Sequence, residues 1–426
     1  SLIMRSGNRE QKAEATNALR RMLTHKQERE RVMGTRALGE AEYLQALRLY
    51  IPNLLQDESL RVRCSLLEVI ASARLEEYYP SLLRGLHYKS TREATIRALV
   101  RLENDILAPV IALAEDIHKP DLVRMHAWSV AGQIGTSEAL DALVAHLMTA
   151  WGSNRRNLLR VLLKIPNERG IEGVLDRLGR SGVEAAIDQE LMFMGQIYAA
   201  LVDLSGIGSV YAKQFKQELP PIGKDGHLQI SLDHAVELLR DSLYELQTDA
   251  QERLFLLMKF LYPLGSIQAA AFNLKSGSRS SMARGLEILD NVIDIPSKRA
   301  LLNVLDGGSD REQVQGLSEL MDYQPMNPSD RLRHLLELRH FLSDWPLACC
   351  FHLARVSRWS LSGEQTLSGL RHPTGFVRES VLAYLEVASP RALVELLPKL
   401  QHDPDRLVAA QVHQMMAQLG LNPTTA

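Results

Sequence analysis

Residues 57–64 read DESLRVRC, and this polar stretch opens an apolar helical segment that continues to residue 73. A second helical segment follows at residues 79–86. The same order of helix, short turn and helix returns at residues 90–113 and again at residues 120–143. A period of about thirty residues built from paired helices is typical of a helical solenoid. The sequence therefore predicts an all-α superhelix in which helical hairpins stack side by side.

The pattern continues toward the C-terminus, with further copies beginning at residues 278, 373 and 403. It is interrupted once, where residues 205–232 carry two isolated glycines and the run PPIGKDG, which stops helices on both sides. We therefore expect an N-terminal sub-array at 1–204, an irregular loop or seam at 205–232, and a C-terminal sub-array at 233–426. Beyond the seam, the periodicity predicts two separate helices, at 233–244 and 249–264.

Each clear copy starts with an Asp or a Pro, followed by a Val-Arg pair or a similar pair. An acidic group favours the positive start of a helix, and a proline fits its first turn. We expect the Val to face the neighbouring repeat. The Arg is long enough to reach turn carbonyls or a carboxylate of an adjacent repeat.

These openings, at 57–63, 120–124 and 373–378, resemble those of the HEAT-repeat family, and the resemblance covers most of the chain. It implies scaffolding and partner binding rather than catalysis. A narrower segment, residues 283–301, resembles the soluble HEAT region that follows the membrane domain in cyanobacterial ADP/ATP translocase-like proteins. That resemblance implies a cytoplasmic regulatory or docking module with a membrane tether in a preceding region. The polar start near Arg5 is what we expect of such a domain.

The composition argues against a nucleic-acid-binding protein, a disulfide-stabilised protein and a membrane-spanning chain. With 49 basic and 51 acidic residues among 426, the formal net charge is −2, so no global field favours nucleic acid. Three cysteines, two of them adjacent, offer no disulfide framework and predict a reducing, cytoplasmic location. No run of about eighteen apolar residues is present in the sequence.

Chemically capable side chains concentrate between residues 331 and 359. Guanidinium groups suit carboxylates and phosphates, so we predict a partner or anion groove lined by Arg331, Arg333, Arg339 and Arg355. Metal binding or nucleophilic chemistry would use Cys349, Cys350, His352 and His340, but adjacent helical cysteines diverge by about 100° and no base accompanies them. The simpler interpretation is that these cysteines, with Phe341, Phe351, Trp345 and Trp359, fill the helical core.

A second basic group has helical spacing and comprises Arg155, Arg156, Arg160 and Lys164. It predicts either a basic edge for an anionic lipid surface or acidic partner, or an ordinary solvated helix face.

The sequence shows no catalytic constellation, so we predict no cofactor, no metal and no enzymatic activity. The leading hypothesis is a cytoplasmic scaffold whose concave face binds another protein. One alternative is the membrane-tethered tail of a transporter-like protein, and another is a free scaffold. A third is a chromophore-handling protein that resembles the HEAT-type bilin lyases, which would need an aromatic and basic cleft between residues 331 and 359.

Overall fold

A computed structural model describes residues 3, 6–40, 47–205 and 232–421. These residues form α-helices and short 3-10 turns, and they contain no β-strand. The predicted all-α helical solenoid is confirmed. The helices in chain order are α1 (Arg9–Leu23), α2 (Glu28–Leu38), α3 (Ile51–Leu55), α4 (Leu60–Ser72), α5 (Tyr79–Gly85), α6 (Arg92–Arg101), α7 (Leu107–Glu115), α8 (Asp121–Ile134), α9 (Ser137–Thr149), α10 (Gly152–Lys164) and α11 (Arg169–Leu204). They continue with α12 (Leu232–Leu261), α13 (Leu264–Lys275), α14 (Arg279–Val292), α15 (Lys298–Asp306), α16 (Asp310–Gly316), α17 (Pro328–Glu337), α18 (Asp344–Ser357), α19 (Gly363–Leu370), α20 (Gly375–Ala388), α21 (Pro390–Leu400) and α22 (Arg406–Gln418).

The chain packs as two compact units. Unit 1 comprises residues 1–149 and 160–177, and unit 2 comprises residues 150–159 and 178–426. Within unit 1 the first helices of successive hairpins, α4, α6 and α8, pack side by side. Within unit 2 the helices α18, α20 and α22 do the same. Each unit therefore contains stacked helical hairpins of the predicted kind.

The apolar side of the first helix in a repeat packs into the core. The valines predicted to face a neighbouring repeat, Val62, Val123 and Val377, are at most 3% exposed. A buried valine side chain stabilises the fold by roughly 1.5–3 kcal/mol relative to an exposed one. The recurring valine is thus one reason why the hairpins stack in a fixed register.

Arginine side chains tie the turns to the helices. In unit 1, Arg31 donates from Nε to Oδ2 of Asp57 at 2.8 Å and from Nη2 to Oδ1 at 3.0 Å. Its Nη1 reaches the carbonyl oxygens of His25 and Lys26. Arg63 likewise donates to the carbonyl oxygen of Asp57 at 2.7 Å. The prediction that the repeat arginines reach turn carbonyls and carboxylates is confirmed.

One helix differs from the sequence prediction. The segments at 233–244 and 249–264 form one continuous helix, α12, and the join at 245–248 contains no glycine or proline to break it. Burial of Leu246 and Gln247 holds the join in the helix. The long helix α11 is interrupted at Gly179, between the separate helical segments that the sequence pattern predicts at 170–178 and 183–204. Gly179 has φ +68° and ψ 172°, a conformation that glycine adopts without steric penalty.

The seam predicted at 205–232 lies almost wholly at residues 206–231, outside the described residues. The two compact units separate in sequence at residues 150–178, ahead of this segment. A division into sub-arrays at residue 205 stays a prediction.

Candidate functional site

A groove opens in unit 1 beside the second helices of two successive hairpins. Its volume is about 480 Å³. Its walls come from the segments that lead into α5 and α7 and from the first turns of those helices. The lining residues are Glu76, Tyr79, Pro80, Leu83, Asp105 and Pro109.

The groove arises because two repeats place the same residue types at the same points. A short 3-10 turn precedes each second helix, at Glu76–Tyr78 and at Glu103–Asp105. A carboxylate stands four residues before a proline in both copies: Glu76 before Pro80, and Asp105 before Pro109. A proline in the first turn of a helix occupies a position whose N–H needs no intrahelical partner. The rings therefore present apolar surface at each helix start.

Two acidic residues line the groove, Glu76 and Asp105, and both are exposed. Asp105 forms an ion pair with Arg74, which is solvent-exposed and stabilises the fold by no more than about 1 kcal/mol. Glu76 has no ion-pair partner within the part of the chain that the structure describes.

Tyr79 is one of the residues that line this groove. Its residue is 8% exposed, and its phenol oxygen has no hydrogen-bond partner among the described residues. Leaving a buried polar group unsatisfied destabilises a protein by about 1–3 kcal/mol. Burial raises the pKa of Tyr79 above its usual value, and Glu76 adds to that rise against the opposing effect of Arg74. The hydroxyl is therefore protonated at neutral pH.

The structure separates the four arginines of the predicted partner or anion groove. Arg331 is 2% exposed and donates from Nε to Oδ2 of Asp203 at 2.7 Å. Asp203 also accepts the hydroxyl of Tyr323 at 2.5 Å. Arg331 is consequently held in an internal network that ties the end of α11 to α17. Both carboxylate oxygens of Asp203 accept hydrogen bonds, and its side chain is 4% exposed.

The other three predicted groove residues lie nearer the surface. Arg333 donates to the carbonyl oxygen of Ser360 at 2.9 Å and pairs with Asp330. Arg339 lies 3.7 Å from a carboxylate oxygen of Glu364, and Arg355 is half-buried. Anion or partner binding at Arg333, Arg339 and Arg355 stays a prediction.

The predicted basic edge is also divided. Arg155 is buried, stacks over the Trp151 ring at 4.2 Å and donates to Glu190 at 2.9 Å. Glu190 accepts a second buried guanidinium, that of Arg253, at 3.0 Å. Arg156 pairs with Asp249 at 2.9 Å. The exposed members of the predicted edge are Arg160 and Lys164. Helical spacing alone suggested one surface for all four, but the packing of unit 2 buries Arg155.

The cysteines match the simpler interpretation. Cys349 and Cys350 are buried, and burial raises the pKa of Cys349 to about 11, so its thiol is not nucleophilic at neutral pH. Phe351 is also in the core at 2% exposure. Trp345 is not, because it is the second residue of α18 and is 50% exposed, with its ring against that of Phe376. The prediction that Trp345 fills the core is wrong.

Two further properties follow from the described ranges. These ranges contain no group of three His, Cys, Asp or Glu side chains placed to hold a metal ion. Within the same ranges, no helix combines the length and apolar character needed to cross a bilayer.

The groove residues are not among the site residues that the sequence predicts. The carboxylate-to-proline spacing, which recurs after 29 residues from Pro80 to Pro109, is the signal that would have found them. Taken alone, a proline in a repeat indicates only the start of a helix.

Residues 87–164 match the family model of HEAT repeats. The match covers the hairpins from α6 to α9 and the first helix of the next pair, α10. A comparison with curated proteins gave no match. The family match and the helical architecture together support a HEAT-repeat solenoid, a class that commonly mediates protein–protein interaction.

Proposed function

We propose that this protein is a non-enzymatic scaffold that binds another protein along the second helices of its repeats, on the side predicted to be concave. The observation that carries the proposal is the groove at Tyr79, which opens on second helices within a stretch of well-formed hairpins. Tightly packed repeats normally close such spaces, because protein interiors are packed as densely as organic crystals.

The composition of the groove favours a macromolecular partner. Pro80, Leu83 and Pro109 give it an apolar lining, and carboxylates stand at its edge. An apolar centre with a polar rim is the usual anatomy of a protein interface. Stacked repeats can extend that contact over neighbouring second helices, which is how solenoids reach large interface areas.

A narrower form of this proposal makes the chain the cytoplasmic regulatory or docking domain of a transporter-like membrane protein. It rests on the resemblance of residues 283–301 alone. Reading the gene upstream of Arg5 tests it, since a preceding set of membrane helices is required. The bilin-handling alternative requires binding of a bilin by unit 2, and a flat absorbance titration with a bilin would eliminate it.

The scaffold proposal is tested by site-specific photo-crosslinking in cells. Leu83→benzoylphenylalanine places the probe in the groove, and Leu122→benzoylphenylalanine places a matched probe at the exposed start of a first helix, α8. We expect a discrete protein adduct from position 83 that is absent from position 122. Adducts that map only to first helices or to residues 205–232 would contradict the proposal.

A further inference from the structure

Three apolar side chains of unit 2 are exposed although each stands at the start of a packed helix. Trp345, Phe376 and Leu407 are the second residues of α18, α20 and α22, and they follow one another at intervals of 31 residues. We propose that this exposed row, defined as these three residues, docks unit 2 onto an anionic lipid surface together with the basic residues beside it. The inference goes beyond the proposed scaffold function, which uses the second helices.

The row is continuous because the starts of the three helices lie against one another. The rings of Trp345 and Phe376 meet edge to face, with their centroids 6.2 Å apart. Asp405, at the start of α22, lies so near Gly375 of α20 that a Cβ on the glycine would overlap the carboxylate. The three helix starts therefore form one edge of unit 2.

The size of the apolar surface distinguishes between classes of partner. The exposed fractions are 50% for Trp345, 40% for Phe376 and 70% for Leu407. An aromatic side chain can bury about 150–250 Å², so the row offers on the order of 300 Å² of apolar surface. A stable interface with a folded protein needs about 800 Å² on each partner. The row is too small for that, whereas Trp, Phe and Leu side chains are common anchors at a membrane interface.

Basic side chains accompany the row at the same interval. His340, Arg371 and His402 each precede a member of the row by five residues, and all three are exposed. Arg406, immediately before Leu407, is exposed as well. Neither Arg371 nor Arg406 has an ion-pair partner within the part of the chain that the structure describes. Arginines placed beside apolar anchors are attracted to the negative surface of an anionic leaflet.

The carboxylates of this edge are mostly engaged within the protein. Asp344 accepts a hydrogen bond from the hydroxyl of Thr374, and the side chain of Asp403 is only 4% exposed. Asp405 caps α22 through its Oδ1. Glu379 lies one turn further into α20 and is half-buried. The exposed charges next to the row are therefore mainly cationic.

The geometry of the row favours a lipid surface over an acidic protein segment. Its members stand on three separate helices, and packed helices lie about 8–10 Å apart, so the row extends over roughly 20 Å. Protein segments are usually bound in a groove or along the edge of a sheet. Side chains that protrude from an edge instead suit a flat, deformable surface into which each can insert.

The test is flotation of the full chain with two kinds of vesicle, one of phosphatidylcholine alone and one of equal parts phosphatidylcholine and phosphatidylglycerol. We expect at least about tenfold tighter binding to the anionic vesicles, because two unpaired arginines face the headgroups. High salt should weaken this binding by screening the charges. Tryptophan emission should shift to the blue on binding, and Trp345→Phe should abolish the shift.

The apolar anchors are tested by the double variant Phe376→Ser with Leu407→Ser, which should bind the anionic vesicles at least about tenfold more weakly. Phe272→Ser is the matched control, since Phe272 is 77% exposed on α13 of the same unit, and it should bind within about twofold of wild type. All these positions are exposed, so the melting temperatures should stay close to that of wild type.

The charge preference is tested by Arg371→Glu with Arg406→Glu, which should also weaken binding at least about tenfold. The control Arg284→Glu changes an exposed arginine of α14 and should have a much smaller effect.

Three results would overturn the proposal: equal binding to neutral and anionic vesicles, equal losses in the row variants and their controls, or no vesicle binding at all. If Leu407→benzoylphenylalanine cross-links a protein in cells while the vesicles fail to bind the chain, the row is a protein-binding surface and the lipid proposal is wrong. None of these results affects the cross-linking expected at position 83, so the scaffold function is tested separately.

Discussion

Arg378 holds the carboxylate of Asp403 through two parallel hydrogen bonds, from Nε to Oδ2 at 2.9 Å and from Nη2 to Oδ1 at 2.6 Å. Its Nη1 reaches the carbonyl oxygens of His372 and Pro373. This geometry reproduces that of Arg31 in unit 1, including the two carbonyls that lie six and five residues earlier. The same clamp is therefore built near both ends of the chain.

Arg378→Lys should lower the free energy of unfolding by about 2 kcal/mol, because a lysine cannot make the forked contact or reach both carbonyls. Both partners are largely buried, with side-chain exposures of 8% and 4%. The matched control is Arg97→Lys, whose pair with Glu93 is exposed and should change stability by no more than about 0.5 kcal/mol. Urea titrations followed by circular dichroism measure both, and equal losses would contradict a special role for the clamp.

The stabilising effect of Asp57 should depend on pH. Burial raises the pKa of Asp57, but hydrogen bonds from Arg31 and from the Ser59 N–H outweigh it and hold the pKa below its usual value. A carboxyl with a lowered folded-state pKa stabilises the fold above its unfolded pKa of about 3.9, and this stability is lost as the pH falls through the folded-state pKa. The stability gap between wild type and Asp57→Asn should thus be largest near neutral pH and shrink below about pH 4. Unfolding curves at several pH values would show this, and a constant gap would disprove it.

Gly170→Ala should be strongly destabilising, by about 3 kcal/mol, because a Cβ there would overlap the carbonyl oxygen of Leu162, and backbone cannot move aside cheaply. Gly265→Ala is the control, since no atom lies within 4 Å of its Cβ position in α13. There alanine should be neutral or stabilising by up to about 1 kcal/mol, through its better helix propensity. In thermal melts, the melting temperature of Gly170→Ala should fall, whereas that of Gly265→Ala should stay unchanged or rise. Equal falls in the two variants would contradict the prediction.

Val408 and Leu407 are adjacent but differ in environment, at 1% and 70% exposure. Val408→Ala should reduce the free energy of unfolding by about 2 kcal/mol, through lost burial and a residual cavity. Leu407→Ala should stay within about 0.5 kcal/mol. If chemical denaturation instead shows a comparable loss for Leu407→Ala, then α22 packs differently from the structure described.

Much of the fold follows from local sequence. The thirty-residue period, the buried valines and the arginines at helix starts all come from short-range pattern, because a helix that repeats the same apolar face must bury it against an equivalent neighbour. The residues that begin and end helices also follow from local sequence. Asn327 accepts the Asp330 N–H at 2.9 Å as a capping residue, and Gly420 ends the last helix with φ +67°.

The candidate site was less accessible from sequence. Helical spacing treated Arg155 and Arg331 as surface groups, whereas the structure pairs each with a carboxylate far away in sequence, Glu190 and Asp203 respectively. Separations of 35 and 128 residues lie beyond any window that periodicity can examine. The buried guanidiniums are therefore a property of how the helices of unit 2 meet.

The sequence by itself determined that this protein is a stack of helical hairpins, since apolar spacing and helix-end chemistry are local properties of the chain. Only the tertiary structure decided which polar groups are internal and where a groove remains open. The Tyr79 hydroxyl, for example, is buried without a hydrogen-bond partner among the described residues, and such burial depends on the packing of whole repeats.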